Sequence, residues 1–269
     1  MITFIITAFV LGGLFLLTLM GRTGHKDLAA LRGWAYAHRG LQGNGTPENS
    51  MAAFREALEC GYGIELDIHL MKDGELAVIH DASLKRTAGA DVEIEDLTAG
   101  DLANYSLEGT DEIIPLFRQV LDLYDGKAPL IVELKAYRGN HAALCKAACH
   151  LLDSYQGAYC LESFDPRCIQ WLRKNRPELI RGQLAENYFR SAGSRLPWFL
   201  KLVLSNHMMN FLSRPDFIAY RFSDRKDFST VLCQKVWGLQ GVAWTLQNPE
   251  DHKQAEKEGW ISIFEGFRP

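Results

Sequence analysis

The sequence predicts a (β/α)8 barrel, a TIM-type fold, behind an N-terminal apolar segment. Three observations predict it. Eight short apolar runs alternate with helical patterns from about residue 34 to the end, the order expected of parallel strands joined by crossover helices. The chain has 269 residues, 47% of them hydrophobic, enough for one core of full size. No GxGxxG or P-loop pattern follows any run, which removes support from the nucleotide-binding versions of an open doubly wound sheet.

The elements follow in order. Residues 1–20 carry no charged side chain, and twenty helical residues at about 1.5 Å each span roughly the 30 Å of a hydrocarbon core. Nothing basic precedes this run and no A-x-A-like site follows it, so a single-pass transmembrane anchor is expected rather than a cleaved signal. Arg22, Lys26 and Arg32 come next and put the large domain on the cytoplasmic side of the cell membrane. Residues 21–33 read as a linker and 34–269 as the barrel. Strands are expected at Trp34–His38, Gly63–Ile68, Leu130–Lys135, Ala158–Phe164, Ile180–Leu184, Asp216–Phe222, Gly241–Leu246 and Ile261–Phe264, with helices near 49–60, 113–125, 140–155, 166–175, 195–213, 226–237 and 249–259.

One further run, Leu76–His80, starts too soon after Ile68 to leave room for a crossover helix. Lys72-Asp73-Gly74 is turn chemistry. A hairpin excursion after strand two is therefore expected, returning His80 and Asp81 to the rim where it began.

Composition excludes other classes. A net charge of −4 argues against a nucleic-acid partner bound through a global basic field. Six cysteines, none in a CxxC, are too sparse for a disulfide scaffold or a zinc ribbon. Cys145 and Cys149 share one helical face and read as small buried thiols.

The strand pattern exposes a candidate site. In Ile64-Glu65-Leu66-Asp67-Ile68 the period of two puts both carboxylates on one face. Glu133 and Lys135 share a face in Leu130–Lys135 by the same rule. Inward carboxylates repel one another unless a cation sits among them. Three of them make a hard, oxygen-rich site suited to Mg2+ or Ca2+.

These residues also match a family. His38-Arg39-Gly40, Pro47-Glu48-Asn49-Ser50, Glu65-Leu66-Asp67, Lys72-Asp73-Gly74, His80-Asp81, Leu84-Lys85-Arg86-Thr87 and Glu133-Leu134-Lys135 occur in order. The chain resembles the glycerophosphodiester phosphodiesterase family over almost all of 34–269. The resemblance implies His38 and His80 as acid and base, and Glu65, Asp67 and Glu133 as ligands of a divalent cation. It further implies Arg39 and Lys135 as phosphate contacts and Trp244 as a substrate contact. The implied reaction is attack on phosphorus, by the glycerol 2-hydroxyl or by water, releasing an alcohol and glycerol 3-phosphate. Its substrates would be soluble glycerophosphodiesters or, as an alternative, membrane lysophospholipids. The closing Phe264-Glu265-Gly266-Phe267 departs from the Thr-Asp or Thr-Asn pair of many members.

Neighbouring residues carry plainer expectations. Glu48 and Asn49 either reach the site or belong to a helix entry with Pro47 and Ser50. Asp81 either orients a histidine or caps the hairpin. Asp91–Glu95 reads as a solvated acidic loop, and Lys85 and Arg86 as a basic rim or ordinary surface charge. The 195–213 helix is apolar on more than one stripe, which suits burial by barrel neighbours or contact with acyl chains.

Overall fold

The computed structural model describes residues 1–191 and 194–269. Its barrel strands are β1 (Ala35–His38), β2 (Gly63–Leu70), β4 (Leu130–Leu134), β5 (Tyr159–Ser163), β6 (Arg181–Ala185), β7 (Phe217–Arg221), β8 (Gln240–Leu246) and β9 (Ile261–Phe264). They pair in parallel, and β1 bonds both β2 and β9, closing the cylinder. β3 (Leu76–Val78) lies antiparallel to β2 outside the barrel, so the excursion after strand two is a hairpin. The outer layer comprises α2 (Met51–Glu59), α4 (Phe117–Tyr124), α5 (His141–Leu152), α6 (Pro166–Asn175), α7 (Trp198–Ser205), α8 (Asn210–Ser213), α9 (Phe228–Lys235) and α10 (Pro249–Lys257). A short α3 (Lys85–Ala88) sits in the lobe that carries the hairpin.

Each strand's alternation sorts its residues. Leu66, Val132 and Leu161 pack outward with Phe54, Val120 and Leu144 of the helices, forming the sleeve core. Tyr36, Ile131, Cys160, Phe217, Ala219, Val242 and Ile263 fill the barrel interior. At roughly 25 cal/mol per Å2 of apolar surface, these two layers are the main driving force for closure. A third cluster, including Met71, Ile79, Leu84, Ile94 and Leu116, fixes the lobe around the hairpin.

The N-terminal expectations need correction. The expected 1–20 anchor is a helix, α1 (Ile2–Thr18), of 17 residues, about 25 Å long at 1.5 Å per residue and so short of the roughly 30 Å core. Its last turn is used up on the barrel, where the Trp237 indole N–H donates to the Leu16 carbonyl at 2.9 Å and Leu19 is buried beside Ile218 and Leu239. Among the described residues no helix is long and apolar enough to cross a membrane. Residues 21–33 are not a free linker. The Arg22 guanidinium bonds Asp216 at 2.5 Å, and Leu28 and Leu31 enter the interior cluster, where Leu31 accepts a 2.8 Å bond from the Tyr36 hydroxyl. The segment plugs the N-terminal end of the barrel.

The apolar 195–213 stretch is two helices, not one. Asn206 ends α7, and His207 adopts φ 54°, which no helix continues through. Trp198 is 71% exposed and Phe199 51%, while Ser205, His207, Asn210 and Ser213 are buried, so barrel neighbours bury the end of this segment and leave its start open. Cys145 and Cys149 are buried, as their helical face requires.

Candidate active site

Strand ends at one rim bring the chemistry together. β1 ends at His38, and the chain turns sharply through Arg39 (φ 56°) and Gly40 (φ 81°). A Cβ on Gly40 would lie 2.8 Å from the Ala53 side chain, so only glycine lets this loop rest on α2. The turn aims the Arg39 amide at Glu65, 3.2 Å away, and the Arg39 guanidinium at Glu48, 3.0 Å away. Ser50 caps α2 through the Ala53 amide at 3.1 Å, while Asn49 donates to Asp67 at 2.8 Å. Both readings of the Glu48–Ser50 stretch therefore hold.

Glu65, Asp67 and Glu133 are all buried, with ligand oxygens lying within 4.8 Å of one another. Lys135 follows β4 and reaches back, its Nζ 2.8 Å from Glu133 and 3.0 Å from Asp67. Glu162, in register with Glu133 on β5 and 1% exposed, adds a fourth carboxylate. Its Oε2 has no hydrogen-bond partner among the described residues.

The electrostatics follow from burial and sign. Burial, then repulsion from Asp67, Glu133 and Glu162, holds the Glu65 carboxyl well above its usual range. Burial and the Glu133 charge do the same to Glu162. Glu133 is pushed up to about 7, chiefly by burial, with Lys135 opposing. Asp67 goes the other way. Burial raises its pKa, but Lys135, His80 and Arg39 outweigh that and hold it well below the carboxylate range. A set of oxygen donors this crowded and this short of counter-charge fits the divalent cation that the sequence implied.

The two histidines share one arrangement. His38 Nδ1 meets Glu265 Oε2 at 2.6 Å, leaving Nε2 turned toward Glu65, 3.9 Å away. His80 Nδ1 meets Asp81 Oδ1 at 2.6 Å. A carboxylate on Nδ1 fixes the ring and leaves Nε2 for the reacting group. Burial lowers the His80 pKa to about 4, with Asp67 opposing and Lys135 and Arg39 adding to the drop. Asp81 is held in turn by Arg86 at 2.5 Å, and Arg86 bonds Glu48 at 2.6 Å. Arg86 is thus a bracing residue rather than a free rim charge.

Trp244 lies on β8. Its ring packs edge-on against Phe164 with centroids 5.7 Å apart, and Lys135 lies 6.0 Å from the Phe164 centroid. Arg221, its register neighbour, lies over Trp244 at 5.5 Å and pairs with Glu186. Tyr188 lines a small cavity with Phe164, and burial, then the Glu133 charge, raises its phenol pKa.

Sequence reasoning missed Glu162, Tyr188 and the Glu186–Arg221 pair, and left Glu265 unassigned. Barrel closure was a usable signal for Glu265: β1 pairs with β9, so the residue after β9 lies beside His38. Asp91–Glu95 is corrected in part. Glu95 is not solvated, for it meets buried His69 at 2.5 Å.

Comparison with known proteins adds independent findings. The profile of the glycerophosphoryl diester phosphodiesterase family matches residues 38–265. A glycerophosphodiester phosphodiesterase of Caldanaerobacter subterraneus subsp. tengcongensis is 29% identical over 238 residues, 83% of this chain and 89% of that protein. A lysophospholipase D of Rattus norvegicus is 34% identical over 133 residues, 45% of this chain and 41% of that protein. The aligned region thus spans less than half of the rat relative. A phosphodiesterase of Oleispira antarctica, solved in complex with the product sn-glycerol-3-phosphate, superposes with a TM-score of 0.72 at 22% identity, covering 91% of this chain and 95% of that one. A glycerophosphodiester phosphodiesterase of Thermotoga maritima superposes with a TM-score of 0.67 at 24% identity, covering 86% and 93%. At these identities the two structures establish the barrel fold.

Proposed function

The chain belongs to the glycerophosphoryl diester phosphodiesterase family, and from that premise we propose how its own residues divide the hydrolysis of a glycerophosphodiester to an alcohol and glycerol 3-phosphate. His38 and His80 are the acid–base pair. One takes the proton of the nucleophile as the new P–O bond forms; that nucleophile is water, or the glycerol 2-hydroxyl in a first step whose cyclic phosphate a water then opens to glycerol 3-phosphate. The other gives a proton to the alcohol oxygen as the old P–O bond breaks. Arg39 grips phosphate through its planar fork and Lys135 as a point charge. Glu65, Asp67 and Glu133 hold a divalent cation, Mg2+ or Ca2+, which supplies charge neutralisation at a phosphate oxygen and a more acidic attacking hydroxyl. Trp244 and Phe164, packed edge-on against each other, offer an apolar contact for the rest of the substrate.

One observation carries this reading: two histidines, each oriented by a carboxylate on Nδ1, flank a buried cluster of three carboxylates. The test is hydrolysis of glycerophosphocholine by the purified chain, before and after chelation and after re-addition of each cation. Turnover that survives exhaustive chelation sinks the metal assignment, and no turnover under any condition sinks the substrate class.

A second reading, action on lysophospholipids at a membrane surface, is favoured by exposed apolar side chains. Ile2–Thr18 has no buried residue, and Phe9, Trp198, Phe199 and Phe228 are exposed. A helix apolar on all sides finds no match in water. Arg22, Lys26 and Arg32 follow that helix, a basic bias that supports a barrel facing the cytoplasm. Lysophosphatidylcholine in vesicles, assayed against glycerophosphocholine, separates the two substrate classes. Failure of the full chain to float with anionic vesicles removes the membrane.

A further inference from the structure

His69 lies on the same face of β2 as Glu65 and Asp67, one pleat further on, and is 3% exposed. Its place invites a reading as another metal ligand. Its contacts rule that out, because both ring nitrogens are engaged elsewhere. Nδ1 meets Glu95 Oε1 at 2.5 Å, and Nε2 meets the main-chain carbonyl of His80 at 3.1 Å. A carbonyl only accepts, so Nε2 is the donor in that bond.

The second contact falls where the β2–β3 ladder has ended. Pairing of β2 with β3 ends at Ile68 with Val78, so His80 lies two residues beyond the ladder. One main-chain bond continues, from the Ile79 amide to the Asp67 carbonyl at 3.1 Å. Beyond it, among the described residues, the His80 side chain hydrogen-bonds only Asp81, its own neighbour. The His80 carbonyl is fixed to β2 by His69 alone among the described residues. His69 is itself clamped by Glu95, from the turn Ile94–Asp96, whose Ile94 side chain is buried in the lobe core.

We propose that His69 and Glu95 form a positioning pair, holding the backbone of His80 in register with the metal carboxylates; this rests on His80 acting on the diester. The pair touches neither phosphate nor cation. It acts through His80, and its value is geometric, since a misplacement of about 1 Å at a reacting group costs on the order of 10²-fold in rate.

The test compares His69→Leu, His69→Gln and Glu95→Gln with His80→Ala and the double variant His69→Leu/His80→Ala, on glycerophosphocholine with saturating cation. His69→Leu should lower kcat by about 10²-fold with KM changed less than about twofold, because binding groups are untouched. His69→Gln, which keeps a donor, should recover part of that loss. The cation-dependent rise in melting temperature should persist in His69→Leu, which checks that the variant folds with an intact carboxylate cluster. The double variant should be no slower than His80→Ala, because the pair has no route to the reaction except through that ring. Wild-type kcat in folded His69→Leu overturns the proposal, as does a double variant roughly 10²-fold slower than His80→Ala. If His80→Ala itself turns over at the wild-type rate, the reading of His80 has failed instead.

Discussion

Cation binding should be visible as stability, independently of turnover. Glu65, Asp67, Glu133 and Glu162 are buried together, with Arg39 and Lys135 as their immediate counter-charges among the described residues. Fully ionised, four carboxylates against two cations leave two negative charges, the charge of one divalent ion. In the metal-free chain the raised pKa values of Glu65 and Glu162 keep protons on the cluster instead. A cation present at a hundred times its Kd stabilises the fold by about 2.7 kcal/mol. For a chain of this size 1 kcal/mol moves Tm by roughly 2–4 °C, so the expected rise is about 5–10 °C. Thermal melts of the chelated chain, with and without Mg2+, Ca2+ or Mn2+, measure it. Glu133→Gln should abolish the rise. Because Glu133 titrates near 7, its ionised form is an added buried charge at pH 8, so the metal-free variant should melt no lower than wild type there. The sign follows from the raised pKa: stability from the protonated carboxyl is full below the unfolded value and is lost as pH climbs through about 7. No cation-dependent rise in wild type, or an equal rise in Glu133→Gln, refutes the reasoning.

Cation uptake should also release protons near pH 7, measured as buffer-dependent heats in calorimetry, and apparent affinity should strengthen as pH rises. Single His38→Ala and His80→Ala changes should each lower kcat by roughly 10²–10⁴, with the double variant far from additive. A nitrophenyl phosphodiester, whose leaving group needs no proton, should rescue loss of the acid and not of the base, which assigns the two roles. Glu265→Gln should lower kcat while leaving the cation-dependent melting shift intact, because Glu265 contacts His38 and is not among the clustered carboxylates; a lost shift with normal kcat would reverse that assignment.

The barrel was legible because its signal is local. Each expected strand lies within two residues of an observed one, from β1 at Ala35–His38 to β9 at Ile261–Phe264. A parallel strand buried on both faces writes itself as a short apolar run, and the crossover length leaves room for a helix. Legibility failed where tertiary contacts override the local pattern. α1 ends at Thr18 because Leu16 and Leu19 are taken up by Trp237, Ile218 and Leu239, more than 190 residues further along. Residues 21–33 look like a polar linker, yet Arg22 finds its partner at Asp216 and Leu31 at Tyr36.

The same division runs through the site. Glu65, Asp67, Glu133 and Lys135 could be read from alternation, since a strand's period alone decides which side chains share a face. Their orienting partners could not. Glu265 reaches His38 only because the barrel closes, and Glu95 reaches His69 only because the lobe folds back over the hairpin. Glu95 looked solvated, for an acidic run without its partner in view carries the composition of a loop. The residues placed by alternation supply charge to the site, and those placed by closure supply aim. A change at the first kind should therefore be felt as lost cation or phosphate binding. A change at the second should be felt as lost kcat with binding preserved, and that split separates the two kinds in one kinetic series.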